Sequence, residues 1–230
     1  KIITALSVFY DLEKPNTFLK SIQKILDTDG LFVLEFADLA SIIRNKMFDT
    51  ICHEHLEYYS TKIINNMCKK NRLKIIDNFK NNINGSSKQF FISHQNSIIK
   101  PNKKRIIKIL NEEAKLKLDS KHKIIKFFKD IQKIKIKLLK LLDKIKKNKE
   151  TIHAYGASTK GNVLLQYFKI GSKYIDYVAE RNPKKYNLYT PGTKLKIISE
   201  RKSRAKNPNY YLVLPWHFKK EILHREKKMI

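Results

Sequence analysis

Cysteine, glycine, proline and acidic side chains are all scarce in this sequence, and each shortage excludes something. Two cysteines, Cys52 and Cys68, stand in 230 residues. Two thiols build no disulfide framework and fit a reducing compartment. With no CxxC pair, the chain encodes no structural zinc site. No apolar run approaches the ~18–20 residues of a membrane span, and the N-terminus has no signal-peptide pattern, so a cytoplasmic protein without a membrane partner is expected. Six glycines and six prolines leave few breakers, and none of either falls between 103 and 149. Acid is outnumbered: 21 Asp plus Glu against 49 Lys plus Arg, a formal net charge of +28.

Such an excess attracts polyanions, whether nucleic acid, acidic membranes or phosphorylated small molecules. Composition offers a second account. Lys, Ile and Asn are abundant together, and all three have A/T-rich codons. No RGG or serine–arginine tract is present, and no RNA-recognition, KH or helix-turn-helix signal, so no specific nucleic-acid partner is expected. Hydrophobic residues make up 42% of the chain, enough for a core.

Strands and helices alternate from the start. "KIITALSVF" (1–9) reads as a buried strand, and a chain opening on one suggests further sequence upstream of Lys1. A helix follows, started by Pro15-Asn16, stopped by Asp29-Gly30, with Phe18, Ile22, Ile25 and Leu26 as its apolar positions. "LFVLEF" (31–36) completes a strand–helix–strand unit. Ser60 caps a helix over "STKIINNMCKKNRL". "KIIDNFKNNI" and "QFFISHQ" flank the hairpin signal Asn84-Gly85. Between 121 and 147, Ile124, Phe128, Ile131, Ile134, Leu138, Leu141 and Ile145 form one stripe of a long amphipathic helix. Beyond Glu150, "TIHAYGASTKGNVLLQYF" is strand, glycine turn, helix. "YIDYVAERNP" and "YYLVLPW" are further strands, and "HFKKEILHREKKM" a closing helix.

Two stretches carry chemistry. In "YGASTKGN" (155–162), Gly156 permits a tight turn and Gly161 a close backbone approach. The free N–H groups of a helix start, with Ser158, Thr159 and Lys160, suit a phosphate. Glu180 ends the next strand, where a dinucleotide fold places a ribose-binding acid. The stretch matches neither GxGxxG nor a P-loop, and such turns often bind nothing. In "TICHEHLEYYS" (50–60), His53, Glu54 and His55 are consecutive and follow Cys52. At most two ligands converge locally and HExxH is absent, so no metal is expected. Packing and acid–base work remain, and imidazole can both accept and return a proton.

Five blocks together, "FDTICHEHLEYYS", "NGSSKQFFISH", "YGASTKGNVLLQY", "AERNPKKYNLYTPGTKLKIIS" and "NPNYYLVLPWHF", resemble the sugar C-methyltransferases. These methylate a ring carbon of nucleotide-linked 4-keto-6-deoxysugars with S-adenosylmethionine. The resemblance runs over essentially the whole chain. It implies an α/β fold made of the C-terminal half of a class I (Rossmann-like) methyltransferase domain (1–102), a long helical connector (103–149) and a C-terminal Rossmann-like domain (150–230). The family's zinc-binding N-terminal module and its main cofactor loop have no counterpart here.

By the same resemblance, His55 is the general base, His53 and Glu54 shape its pocket and tune it, and Cys52 takes the catalytic position at the keto oxygen. Tyr58, Asn84 and Gly85 lie at the sugar. Tyr155, Gly156, Ser158, Thr159, Lys160, Asn162, Glu180 and Arg181 hold the nucleotide diphosphate of the substrate. Ser7, Val8 and Phe9 border S-adenosylmethionine. Cys52 stands where the family usually has tyrosine, and Ser86 where it has a second glycine. The resemblance thus also admits a relative that keeps the fold and has lost turnover. A basic nucleic-acid-binding α/β protein is the alternative from another class.

Overall fold

The computed structural model describes residues 1–227. The chain divides into two compact units. One holds Lys1–Met47 and His53–Phe128; the other holds Phe48–Cys52 and the chain from Lys129 onward. The stretch 103–149 is therefore not a body of its own. Its two helices, α4 (Lys103–Leu116) and α5 (Lys121–Lys147), are shared out, with the break inside α5.

The first unit is built on β1 (Ile2–Leu6), β2 (Leu31–Phe36), β3 (Leu73–Asn81) and β4 (Ser87–His94), in the order β1-β2-β4-β3. β1 and β2 are parallel, as strand–helix–strand requires, and β4 runs antiparallel to both β2 and β3. The Asn84-Gly85 turn joins β3 to β4, with φ of 54° and 94°. Both values are in the left-handed region that Asn and Gly tolerate best. Strand β1 stops at Leu6, short of the expected Phe9, because Ser7 takes φ 57° and Phe9–Asp11 form a 3-10 turn.

Helix α1 (Pro15–Ile25) has proline in its first turn, where the missing N–H costs nothing. It buries Leu19 and Ile22, but Ile25 is 69% exposed. The helix ends there, and Leu26, in extended conformation, turns inward in its place. Helix α2 (Leu39–Asn45), which the sequence pattern did not announce, is capped by Asp38. Helix α3 (Thr61–Lys70) is capped by Ser60, whose Oγ accepts from the Ile63 N–H.

Phe9, Phe32, Phe36, Phe90, Leu34, Leu73 and Tyr59 fill the core, with Phe36 stacked on Phe90 at 5.4 Å. Cys68 belongs to it too. Burial pushes its thiol up to about 12, so it packs as a small hydrophobe.

A charged group sits inside this unit. The Lys88 side chain on β4 is 0% exposed; its Nζ lies 3.3 Å from Asp38 Oδ1 and donates to Glu113 Oε1 and to Thr61 Oγ1 (2.8 Å). Glu113, on α4, also accepts from the Thr61 N–H (2.9 Å) and hydroxyl (2.6 Å). The N-terminus of α3, the strand β4 and α4 are thus joined by one ionic cluster.

The second unit has β5 (Ile152–Tyr155), β6 (Tyr177–Glu180), β7 (Ile197–Ser199) and β8 (Tyr210–Val213), all parallel, in the order β7-β6-β5-β8. β7 and the short helix α7 (Glu200–Ala205) are additions to the sequence reading. Helices α6 (Thr159–Phe168) and α8 (Lys219–Arg225) complete it. The closing helix was expected to run through Met229; residues 228–230 lie outside the described residues.

Helix α5 spans the expected residues, but its buried line differs. Phe127, Ile131, Leu142 and Ile145 are buried, whereas Phe128, Ile134 and Leu141 are 39–53% exposed. Apolar residues cover well over one stripe of this helix, so periodicity finds the helix without finding the centre of its packed face. Among the described residues, no helix is long and apolar enough to cross a membrane.

Burial favours the neutral form of two histidines of the second unit. The His153 ring is buried on β5 against Ser203 Oγ at 2.7 Å. Its pKa is lowered first by that burial, and that of His217 by burial and then by Lys160. A depressed folded pKa means that the unfolded chain takes up the proton first, so stability present above about pH 6.5 falls away on acidification. The midpoint of urea unfolding is expected to drop between pH 7 and pH 5. The drop is expected to be smaller in His153→Gln than in the parent chain.

Candidate functional site

The structure places the sequence-derived residues in two groups, one in each unit. In the first unit, "HEH" follows the Phe48–Thr50 turn as a loop. The backbone N–H groups of Leu56 and Glu57 both donate to the Tyr10 carbonyl, at 2.9 and 3.1 Å. This fastens the loop beside the 3-10 turn at the carboxyl end of β1. The half-buried His55 ring packs on the Tyr10 ring, with centroids 4.2 Å apart. His53 and Glu54 are exposed, and the Glu54 carboxylate lies 4.0 Å from His53 Nε2. The three side chains therefore do not form one buried cluster: His55 is set apart on Tyr10, and Glu54 neighbours His53.

Tyr58 is half-buried, and Asn84 and Gly85 form the hairpin turn. Ser86 donates to Ser41 Oγ at 2.9 Å. At the end of β1, the Ser7 N–H donates to the Glu35 carbonyl (2.8 Å), and Val8 is 45% exposed. Phe9 departs from the expected cofactor role. It is 0% exposed, packed among Phe18, Phe36 and Tyr59, because the turn after Ser7 directs it into the core. A cavity of about 600 Å³ elsewhere in this unit, lined by Leu39, Ile63, Leu110, Ala114 and Glu113 among others, holds none of the sequence-derived site residues. Among the described residues, no group of three or more His, Cys, Asp or Glu is placed to hold a metal.

The second group surrounds the carboxyl ends of β5 and β8. In chain order this sheet runs third, second, first, fourth. The connections leaving β5 and β8 diverge there, and an open parallel sheet binds ligands at such a switch point. The loop after β5 holds Gly156, Ser158 and the start of α6; the loop after β8 holds Leu214–Phe218. Gly156 has φ +87°, and a Cβ on it would lie 2.7 Å from Pro215 Cδ. A Cβ on Gly161 would lie 2.8 Å from the Leu214 Cβ. Gly161 was expected to admit a ligand, but the backbone approach it permits is to the β8 loop. Ser158 Oγ caps α6 by accepting from the Gly161 N–H at 3.0 Å.

Lys160 and Asn162 stand in this first turn. Burial lowers the Lys160 pKa, against the opposing pull of Asp49 and Cys52. Asp49 is 3% exposed and accepts from Trp216 Nε1 at 2.7 Å, and Phe48 stacks on Phe168 at 4.9 Å. The Phe48–Cys52 segment is thereby part of the second unit. Asn162 Oδ1, an acceptor, and His217 Nδ1, a donor or acceptor according to the ring tautomer, are buried and meet no hydrogen-bond partner among the described residues. Buried polar atoms left unpaired are costly, and a ligand with hydroxyl groups, which both donate and accept, would satisfy them.

Two other residues have structural partners. Tyr155 is 4% exposed; its hydroxyl donates to Glu226 Oε1 and accepts from Arg225, both at 2.7 Å, so α8 holds it. The Glu180 carboxylate accepts from the N–H groups of Ala157, Arg181 and Asn182, each at 2.8 Å, which ties the β5 and β6 loops together. Thr159 and Arg181 are at the surface. Asp49, Trp216 and His217 escaped the sequence reading: they lie inside the blocks "FDTICHEHLEYYS" and "NPNYYLVLPWHF", but nothing in their spacing pairs them.

Comparison with known proteins bears on the whole arrangement. Residues 82–230 match the family model of the C-methyltransferase C-terminal domain. The chain belongs to this family. A C-methyltransferase from Streptomyces niveus, NovU, is 26% identical over 217 residues, which cover 92% of this chain and 50% of the relative. The chain thus spans about half the length of the curated relative it matches. The resemblance read from the five blocks holds at the level of a C-methyltransferase family. The family match takes in the hairpin turn, both long helices and the parallel sheet with its switch point, and the similarity to NovU extends over most of the chain.

Proposed function

We propose that this C-methyltransferase-family chain carries the acceptor half of a sugar C-methylation: it binds a nucleotide-linked 4-keto-deoxysugar and removes the proton next to the ketone. One observation carries the reading. The His55 ring is held at the carboxyl end of β1 by the Tyr10 ring and by two hydrogen bonds to the Tyr10 backbone, where open α/β sheets present catalytic groups. His55 takes the proton from the carbon beside the ketone, and the electron pair left behind delocalises onto the keto oxygen. General-base assistance of this kind contributes about 10²–10⁴ in rate.

S-adenosylmethionine is the methyl donor that the family implies. The three residues expected at it, Ser7, Val8 and Phe9, do not by themselves make a site for it. Phe9 is in the core, and Ser7 and Val8 supply one hydroxyl and one apolar side chain. The chemistry assigned to this chain is therefore that of the acceptor alone.

Taken by itself, the switch point of the second unit would hold a nucleotide diphosphate through Lys160, with Asn162 Oδ1 accepting from a neighbouring hydroxyl or N–H group. Lysine serves a phosphate as a point charge. Titration calorimetry with thymidine diphosphate tests this. Lys160→Ala is expected to weaken binding about tenfold or more, the scale of a charge-assisted hydrogen bond, while Thr159→Ala changes it little. Equal affinity in Lys160→Ala and the parent would remove the diphosphate from this site.

A further inference from the structure

Helix α5 contains eleven lysines, two aspartates and no glutamate. The lysines are not scattered. At about 100° per residue, positions 129, 133, 137, 140, 144 and 147 fall within an arc of about 80°. Every position of that arc from 129 to 147 is lysine, and all six are exposed. The buried line through Ile131, Leu142 and Ile145 is on the opposite side of the helix. At 1.5 Å per residue the row is about 27 Å long, and it lies wholly within the second unit.

A helix that only needs solvation gains from alternating charge, since Glu–Lys pairs three or four apart stabilise it and like pairs at that spacing destabilise it. α5 does the reverse along the entire row. Codon bias accounts for many lysines but not for their order, and α4 in the same chain mixes Glu112 and Glu113 with its lysines. The carboxylates of α5 are off the row: Asp143 accepts from Lys173 and Tyr174, and Asp130 sits at the margin.

We infer that this face of α5 binds the phosphate backbone of nucleic acid without reading its sequence. A straight row of point charges suits a polymer bearing charge at regular intervals, one per about 1.7 Å of duplex axis. Lysine fixes no bidentate geometry, and the row offers no aromatic side chain for stacking, so base identity goes unread. No apolar side chain lies on the row to enter an acyl layer. Ile136 and Leu141, 54% and 53% exposed, flank it.

The test is fluorescence anisotropy of a labelled 30-base-pair duplex with the full chain, from 50 to 300 mM salt. Binding is expected to be insensitive to sequence and to weaken steeply with salt. Reversing four lysines of the row (Lys133→Glu, Lys137→Glu, Lys140→Glu, Lys144→Glu) is expected to lower affinity about 100-fold at 100 mM salt and flatten the log–log salt slope by about 3–4. Lysine and glutamate have similar helix propensity, so the helix is expected to persist by circular dichroism. The control reverses four exposed lysines of the first unit, Lys20, Lys24, Lys69 and Lys70, with an expected effect below a tenth of that. Three results overturn the inference: equal losses in both variants, no duplex binding at 50 mM salt, or binding to phosphatidylserine vesicles with none to the duplex.

Discussion

His55→Gln is expected to lower the rate of methyl transfer to a nucleotide-linked 4-ketosugar by about 10²–10⁴ in the full translated product of the gene, the range that general-base catalysis supplies. Glutamine keeps much of the size of the ring and can still pack on Tyr10, but it has no nitrogen that takes up a proton. The expected signature is a fall in kcat with little change in KM, because a group acting only as the proton leaves adds nothing to ground-state binding. Proton exchange sharpens the test. The parent is expected to exchange the hydrogen beside the ketone with deuterated solvent when no methyl donor is present, and His55→Gln is expected to lose this exchange. Retained exchange would sink His55 as the base, whatever the turnover. The half-exposed Glu54 and exposed His53 make a contrast, with expected losses well below that of His55, since neither is held on the Tyr10 platform.

Lys88→Met is the second large effect, and it concerns stability. The substitution leaves the Asp38 and Glu113 carboxylates, 0% and 5% exposed, without their cation. Removing one partner of a buried ion pair costs about 3–5 kcal/mol, a large share of the roughly 5–15 kcal/mol by which domains are stable. Glu113 retains its two bonds from Thr61, so the cost concentrates on charge rather than on unmade hydrogen bonds. A loss of that size is expected in urea unfolding, and the double variant Lys88→Met/Glu113→Met is expected to recover part of it by removing one stranded charge. A loss below about 1 kcal/mol, the scale of an exposed pair, would show that Lys88 reaches water.

The contrast between legible and hidden features has physical causes. Local chemistry was legible. Ser60 caps α3, Pro15 opens α1, and Asn84-Gly85 turns the hairpin, because each acts within a few residues of itself. The first and second strands, the glycine turn after β5 and the length of α5 followed from periodicity. Strand β7 was missed because three residues, Ile197–Ser199, are too few to show alternation. The packed line of α5 was misplaced because its apolar residues outnumber the positions that can be buried. Long-range pairings left no local trace at all. Nothing near Lys88 announces that two carboxylates await it, nothing near Tyr155 points to Arg225 and Glu226 seventy residues on, and Asp49 and Trp216 meet across 167 positions. For the candidate site, residue types and their order single out His55 and Lys160 as candidates, whereas tertiary structure revealed Phe9 as core and Glu180 as a tie between loops.

The five residues Phe48–Cys52 are counted with the second unit although their neighbours on both sides are counted with the first. Anyone cutting this gene into pieces inherits a problem from that. A fragment begun at residue 129, or at the family boundary of 82, discards Phe48 and Asp49, stripping the aromatic cover from Phe168 and the acceptor from the Trp216 indole. The polypeptide is sewn rather than strung, and no single scissor-cut yields a self-sufficient back half.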